Sequence, residues 1–383
     1  MNFRKKEGIR LRRRIITLFS CFFILFLFGT LMLHDLGPLA KQRSNAATSP
    51  LTEEPFRRPV TFDNPERTIQ IGLHVENIHD FSLSEQSYWV EGWYWLLWPQ
   101  TIQKIIEENK IPLTEIVEIT NQVEDESMVM QTEPGKPLDI LGDIRYQFFR
   151  FSAKLYVDDI NLHKSPFQTI VLPVTFETRP YQLSCFRGST DCVYLKPQNN
   201  KVDSLRGIFA TIPGYEYLSG EVIPYIRKYN TNFGFGDLNN CGAVDFNFTY
   251  RSNAISAFSQ YVLPLLVIIV VVLASPSLPG SIGDVRLAIP STALLTMIFL
   301  NQSYQAEIPP VAYVTFLNYL YIYAYVLSGI FFIFYCWGTH QYVTAPDDKK
   351  QSVEKMIDYV DIYFQVGGII ALLVTIPLSW YLS

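Results

Sequence analysis

The sequence predicts an all-β sandwich followed by an all-α bundle of four transmembrane helices, with one extra transmembrane or signal helix at the amino terminus. Three observations predict it. Short alternating runs of β-branched and aromatic residues, separated by Gly, Pro, Asn and Asp, fill the chain from Thr68 to about Tyr250, the pattern of antiparallel strands with turns. After Arg251 the chain turns to long apolar runs, with a short polar loop before the last of them. Near the start, Ile15 to Leu33 is uncharged and long enough to span a bilayer.

The elements follow in order. Arg4, Lys5, Lys6, Arg10, Arg12, Arg13 and Arg14 precede the first apolar run. A basic cluster there is a positive-inside topology signal rather than a nucleic-acid arm. The run is either a signal peptide or an uncleaved anchor. Ser44-Asn45-Ala46 resembles a small-residue cleavage site, but its distance from the apolar run favours retention. Residues 1–46 are therefore read as a basic cytoplasmic segment with a signal or anchor helix, and 47–67, rich in Pro, Thr and charge, as a linker. Residues 68–252 form the sandwich, with runs such as T-I-Q-I-G-L-H-V and Y-W-V-E-G-W-Y-W-L-L-W. Residues 253–383 hold four spans: Ala254 to Ile282, Gly283 to Pro310, Val311 to Gly338, and Ile362 to Leu382. The polar loop with Asp347, Asp348, Lys349 and Lys350 separates the last two, and its lysines suit the cytoplasmic side.

Among five cysteines, Cys185 and Cys192 bracket the turn-like F-R-G-S-T-D. A local disulfide fits an exported region. Zinc does not, because two cysteines with no nearby histidine make no site. The chain contains no His-Glu-x-x-His, no Gly-x-Ser-x-Gly and no phosphate loop, so the expectation is a protein that is not an enzyme and needs no cofactor.

The stretch from Gly283 to Pro310 is unusual for a span. At helical spacing one face collects Asp284, Ala288, Thr292, Leu295, Phe299 and Gln302. That face is polar or small at both ends and bulky in the middle. Thr292, Thr296, Asn301 and Gln302 need water or partners, which hydrocarbon does not supply. A water-filled path with an apolar constriction would use such a stripe. A mildly polar helix buried in a bundle is the alternative.

The order of these parts resembles the pentameric ligand-gated ion channels, over roughly residues 68 to 382. In the second span after the sandwich, Arg286 matches that family's basic residue at the inner end, and Leu295 its central gate leucine. Thr296-Met297 resembles the Thr-Met of the glycine-receptor branch, and Ile308-Pro309 the pair that follows the pore helix. Tyr313 and Thr315 resemble the opening of the third span in prokaryotic members. His163-Lys164-Ser165-Pro166-Phe167-Gln168 resembles the signature Phe-Pro-Phe-Asp loop, departing at Ser165 and Gln168 and lacking the flanking cysteines. Phe176-Glu177, the run Tyr229 to Gly234, and Arg251 are similar to family patterns too.

The resemblance implies a homopentamer in a bacterial inner membrane, its sandwich in the periplasm, with permeating ions, the lipid bilayer and a small-molecule or ion agonist as partners and no nucleic acid. It implies that Asp284, Ala288, Thr292, Leu295, Phe299 and Gln302 line the pore, with Leu295 and Phe299 as the gate. Asp284 lies at or beside the acidic ring of cation-selective relatives, which favours cations; it is also a carboxylate suited to a helix amino end. Arg286 is expected to face away from the axis. Asp80, Pro166, Phe167, Arg251, Glu307 and Pro309 would couple sandwich and pore, with Arg251 paired to Asp80 or Glu307. Trp93, Trp95, Glu118, Asn121, Tyr181, Tyr229 and Phe233 would line ligand sites between subunits, where aromatic faces attract ammonium groups. Trp89, Trp93 and Trp95 share one strand face, so the sandwich core is the alternative for them. A non-conducting sensor with the same architecture is the rival reading.

Overall fold

The computed structural model describes residues 57–60, 62, 64–123, 129–140, 142–157, 160–179, 183, 193–198, 206–229 and 240–383. The segment expected to form the amino-terminal helix, and Cys185, Cys192, Tyr181 and Phe233, lie outside them. Two compact units divide the described chain. Asn161–Gln168 and Ser252–Ser383 belong to one, and the strands to the other.

The strand unit contains β1 (Arg57–Pro59), β2 (Thr68–Ser82), β3 (Ser87–Pro99), β4 (Val117–Ile119), β5 (Val129–Ile140) and β6 (Ile144–Tyr156). It continues with β7 (Thr169–Thr178), β8 (Tyr194–Pro197), β9 (Arg206–Phe209), β10 (Tyr215–Lys228) and β11 (Asn240–Ser252). One sheet runs β1-β10-β11-β7-β4. The other runs β5-β6-β3-β2-β8, with β9 also on β2. Two sheets of alternating strands are what the periodicity predicts, with one difference: β8 and β9 pair with β2 in parallel.

Alternation builds the core. Ile69, Ile71, Leu73 and Val75 of β2 point inward with Tyr88, Val90, Tyr94, Leu96 and Trp98 of β3. Leu172, Val174 and Phe176 of β7 and Val244, Phe246 and Phe248 of β11 face them from the other sheet. Tyr94 meets Phe176 across the two sheets at 5.0 Å between ring centroids. Each such side chain contributes about 1.5–3 kcal/mol by leaving water.

Two elements depart from expectation. Arg57–Pro59, assigned to the linker by composition, form an edge strand on β10, anchored where Arg57 meets Asp245 at 2.7 Å and covers the Tyr225 ring. A helix α1 (Gln100–Glu108) follows β3. Ile102 and Ile106 are buried one turn apart on it, and Gln103 accepts from the Trp98 indole at 2.8 Å.

In the helical unit, α2 (Ala254–Ser277), α3 (Gly283–Glu307), α4 (Phe316–Thr344) and α5 (Lys350–Leu382) are each long and apolar enough to cross a membrane. These four helices mark a multi-pass membrane protein. Asn253 caps α2 by accepting from the Ser256 amide, and Thr315 caps α4 by accepting from the Asn318 amide. Gly283 begins α3 where a Cβ would run into Thr339 of α4. α4 and α5 both outrun the apolar segments expected for them. The helical period of α5 starts at Ile357 and continues through Asp361, Gln365, Leu372 and Ile376, all buried, so a charged residue sits on its packed face.

Candidate functional site

The six stripe residues of α3 share one uncovered face. Asp284, Ala288, Thr292, Leu295, Phe299 and Gln302 are all exposed, Leu295 at 55% and Phe299 at 62%. Arg286, Pro290, Ala293, Met297 and Tyr304 are buried. At about 100° per residue the two sets point in nearly opposite directions. The stripe is thus not buried within this chain's own bundle. Two hydroxyls beside it are satisfied inside the helix, Ser291 on the Leu287 carbonyl and Thr296 on the Thr292 carbonyl, at 2.7 and 2.9 Å. Pro290 sits inside α3 with no N–H to give, so the Arg286 carbonyl has no helical donor.

Arg286 faces into the bundle. Its Nη2 lies 2.5 Å from Asp361 Oδ1 of α5, with both side chains buried. Its guanidinium stands 4.3 Å from the centre of the Tyr335 ring of α4. The Tyr335 hydroxyl is 2.6 Å from Ser275 Oγ of α2, and Gln365 of α5 donates to the Leu273 carbonyl of α2 at 2.9 Å. One polar cluster therefore joins all four helices. Sequence reasoning missed Asp361, Tyr335 and Gln365. The available signal was an acid and an amide at i and i+4, merging into an apolar run.

The loop from β6 to β7 packs on the helices. The Tyr313 hydroxyl accepts from the Leu162 amide at 2.9 Å, and the Tyr313 ring stacks on His163 at 3.8 Å. Phe167 meets Phe316 and Trp380, and Lys164 lies over the Trp380 ring. The Ser165–Pro166 peptide is cis. Ser165 Oγ accepts from the buried Tyr304 hydroxyl at 2.8 Å, which gives the departure at Ser165 a partner. The Gln168 carbonyl accepts from the Ser252 amide at 3.0 Å. Glu307 accepts from the Tyr261 hydroxyl, and Pro309 is buried.

In the strand unit, Asp80 adopts φ 50°, which Asp tolerates, and lies 2.9 Å from His79. No Asp80–Arg251 ion pair forms; Arg251 lies opposite Thr169 in the sheet. Trp89, Trp93 and Trp95 are half-buried on the outer face of β3, not in the core. Trp89 stacks on His79 and Trp93 on His74. Trp95 covers Gly72 and donates to Gln198 at 2.5 Å.

Glu118 and Tyr229 come together on the other sheet, around Glu177. Glu118 and Glu177 are directly opposed on β4 and β7, an arrangement that repels unless compensated. Arg179 lies 3.4 Å from Glu118. The buried Glu177 accepts from Arg227 at 3.1 Å and from the Tyr229 hydroxyl at 2.9 Å. Burial, and then the Glu177 charge, push the Tyr229 phenol well above its ordinary value. Asn121 gives its amide hydrogens to the Tyr156 and Pro173 carbonyls and accepts from the Thr175 amide, so both of its N–H groups are committed to backbone. Trp93 and Trp95 belong to the six-stranded sheet and Glu118 to the five-stranded one, whose strand β10 Tyr229 directly follows.

No protein-family model matches this chain, and no curated protein matches it significantly.

Proposed function

We propose that the chain is a subunit of a homopentameric, ligand-gated, cation-conducting channel of a bacterial inner membrane, with α3 lining the ion path. The observation that carries this reading is the uncovered face of α3. A membrane helix with an acid, hydroxyl and amide on a face that its own bundle leaves open needs other copies and water to satisfy that face. Asp284 would concentrate cations at one mouth, and Leu295 with Phe299 would close the path by excluding water. The agonist would bind between copies, where the tryptophan face of β3 from one subunit meets the Glu177 cluster of the next. Binding opens the path only to the extent that the open state is bound more tightly. The loop of His163 to Gln168, packed on α3, α4 and α5, would carry the change.

A non-conducting sensor of the same architecture is the second reading. Ser291 and Thr296 favour it, since their hydroxyls are satisfied within α3 and call for no water.

Current through the purified full chain in planar bilayers with asymmetric salt separates the two. Unitary currents whose reversal potential follows the cation support the channel. Silence from a folded pentamer across a ligand and pH series supports the sensor.

A further inference from the structure

The Arg286–Asp361 pair does more than join two helices. Asp284 and Arg286 lie two residues apart in the first turns of α3, so they project from opposite sides of it. A carboxylate suits that end of the helix dipole and a cation does not. Arg286 is nevertheless buried, and Asp361 is its ion-pair partner among the described residues. The Tyr335 ring covers the guanidinium at 4.3 Å. A buried cation without its anion would turn toward water, and the uncovered side of α3 begins at its neighbour Val285 and continues into the stripe that starts at Asp284. The side chain is long and flexible enough to reach round the helix.

We propose that Asp361 is a specificity-determining residue that never touches the ion: by holding Arg286 inside the bundle, it leaves Asp284 as the only charge on the stripe and so keeps the path selective for cations. The proposal rests on the reading of α3 as the pore lining. Asp361 acts through Arg286 as a positioning residue, with Tyr335 as its second support.

The test is the reversal potential of the purified full chain in planar bilayers under asymmetric potassium chloride. Asp361→Asn is expected to lower the cation-to-anion permeability ratio roughly tenfold, the scale on which a ring of like charges changes local ion concentration. Asp361→Glu should keep the wild-type ratio. Arg286→Gln combined with Asp361→Asn should restore cation preference, because no cation is left to release. If Asp361→Asn does not fold, Tyr335→Leu removes the covering ring, keeps the carboxylate, and should shift the ratio the same way by a smaller factor. A purely structural role would alter yield or open probability and leave the ratio unchanged. An unchanged ratio in a conducting variant overturns the proposal while the channel reading stands. A silent wild type overturns both.

Discussion

Arg286 of α3 and Asp361 of α5 form an ion pair at 2.5 Å in which both side chains are buried. Breaking such a pair strands a charge, whereas replacing both members with apolar groups does not. Arg286→Met or Asp361→Leu alone should cost about 3–5 kcal/mol. Arg286→Met with Asp361→Leu should cost clearly less than the sum. Denaturation of the detergent-solubilised chain, followed as a double-mutant cycle, reads the difference.

Ser165 and Tyr304 should behave as a coupled pair. Ser165→Ala or Tyr304→Phe removes one buried hydrogen bond, worth about 1 kcal/mol. The double variant should cost less than the sum, with a coupling of about 0.5–1 kcal/mol. On the proposed reading, the same cycle run on ligand concentration–response curves tests whether the loop couples binding to the path.

Glu177 holds Arg227 and Tyr229 together. Glu177→Gln should destabilise the strand unit by about 2 kcal/mol, the scale for a buried charged hydrogen bond, and on the proposed reading should abolish ligand gating. Glu118→Gln should cost far less, since its carboxylate is part-exposed and one of two like charges is removed. Thermal unfolding and ligand titration of the two variants, side by side, check both statements.

Glu221 should give the strand unit a pH dependence of known sign. Burial raises its carboxyl above the ordinary value, so the folded state favours the protonated form. That contribution is complete below the unfolded value of about 4.3 and is lost as the pH rises through the folded value. Glu221→Gln should therefore unfold at a higher temperature than wild type at neutral pH, and the gap should close near pH 4.

Local patterns were the legible part of this chain. Inward and outward residues of β2, β3, β7 and β11 follow the two-residue period, and the tryptophans of β3 follow it too. They lie on the outward face because Tyr88, Val90, Tyr94 and Leu96 supply the core. The stripe of α3 was likewise visible, since its polar groups recur at helical spacing.

What was illegible depends on partners distant in sequence. Asp361 looked like the edge of a loop because it precedes the apolar run, yet helices continue past the point where apolarity ends. Arg57 looked like linker until Asp245 met it. Helix α1 was hidden behind the tryptophan-rich strand, although Ile102 and Ile106 carried its period. The reason for Ser165 lies in Tyr304, which no local pattern connects to it.

The central claim is that the open face of α3 lines a water-filled path. Cysteine substitution tests it most directly: Thr292, Leu295, Phe299 and Gln302 on the stripe, and Met297 on the buried face, each replaced singly in the conducting full chain. A charged, membrane-impermeant thiol reagent should change the current at the four stripe positions, relative to the parent chain, and leave Met297→Cys unaffected. Equal effects on both faces, or none at the stripe in a protein that conducts, would contradict the account.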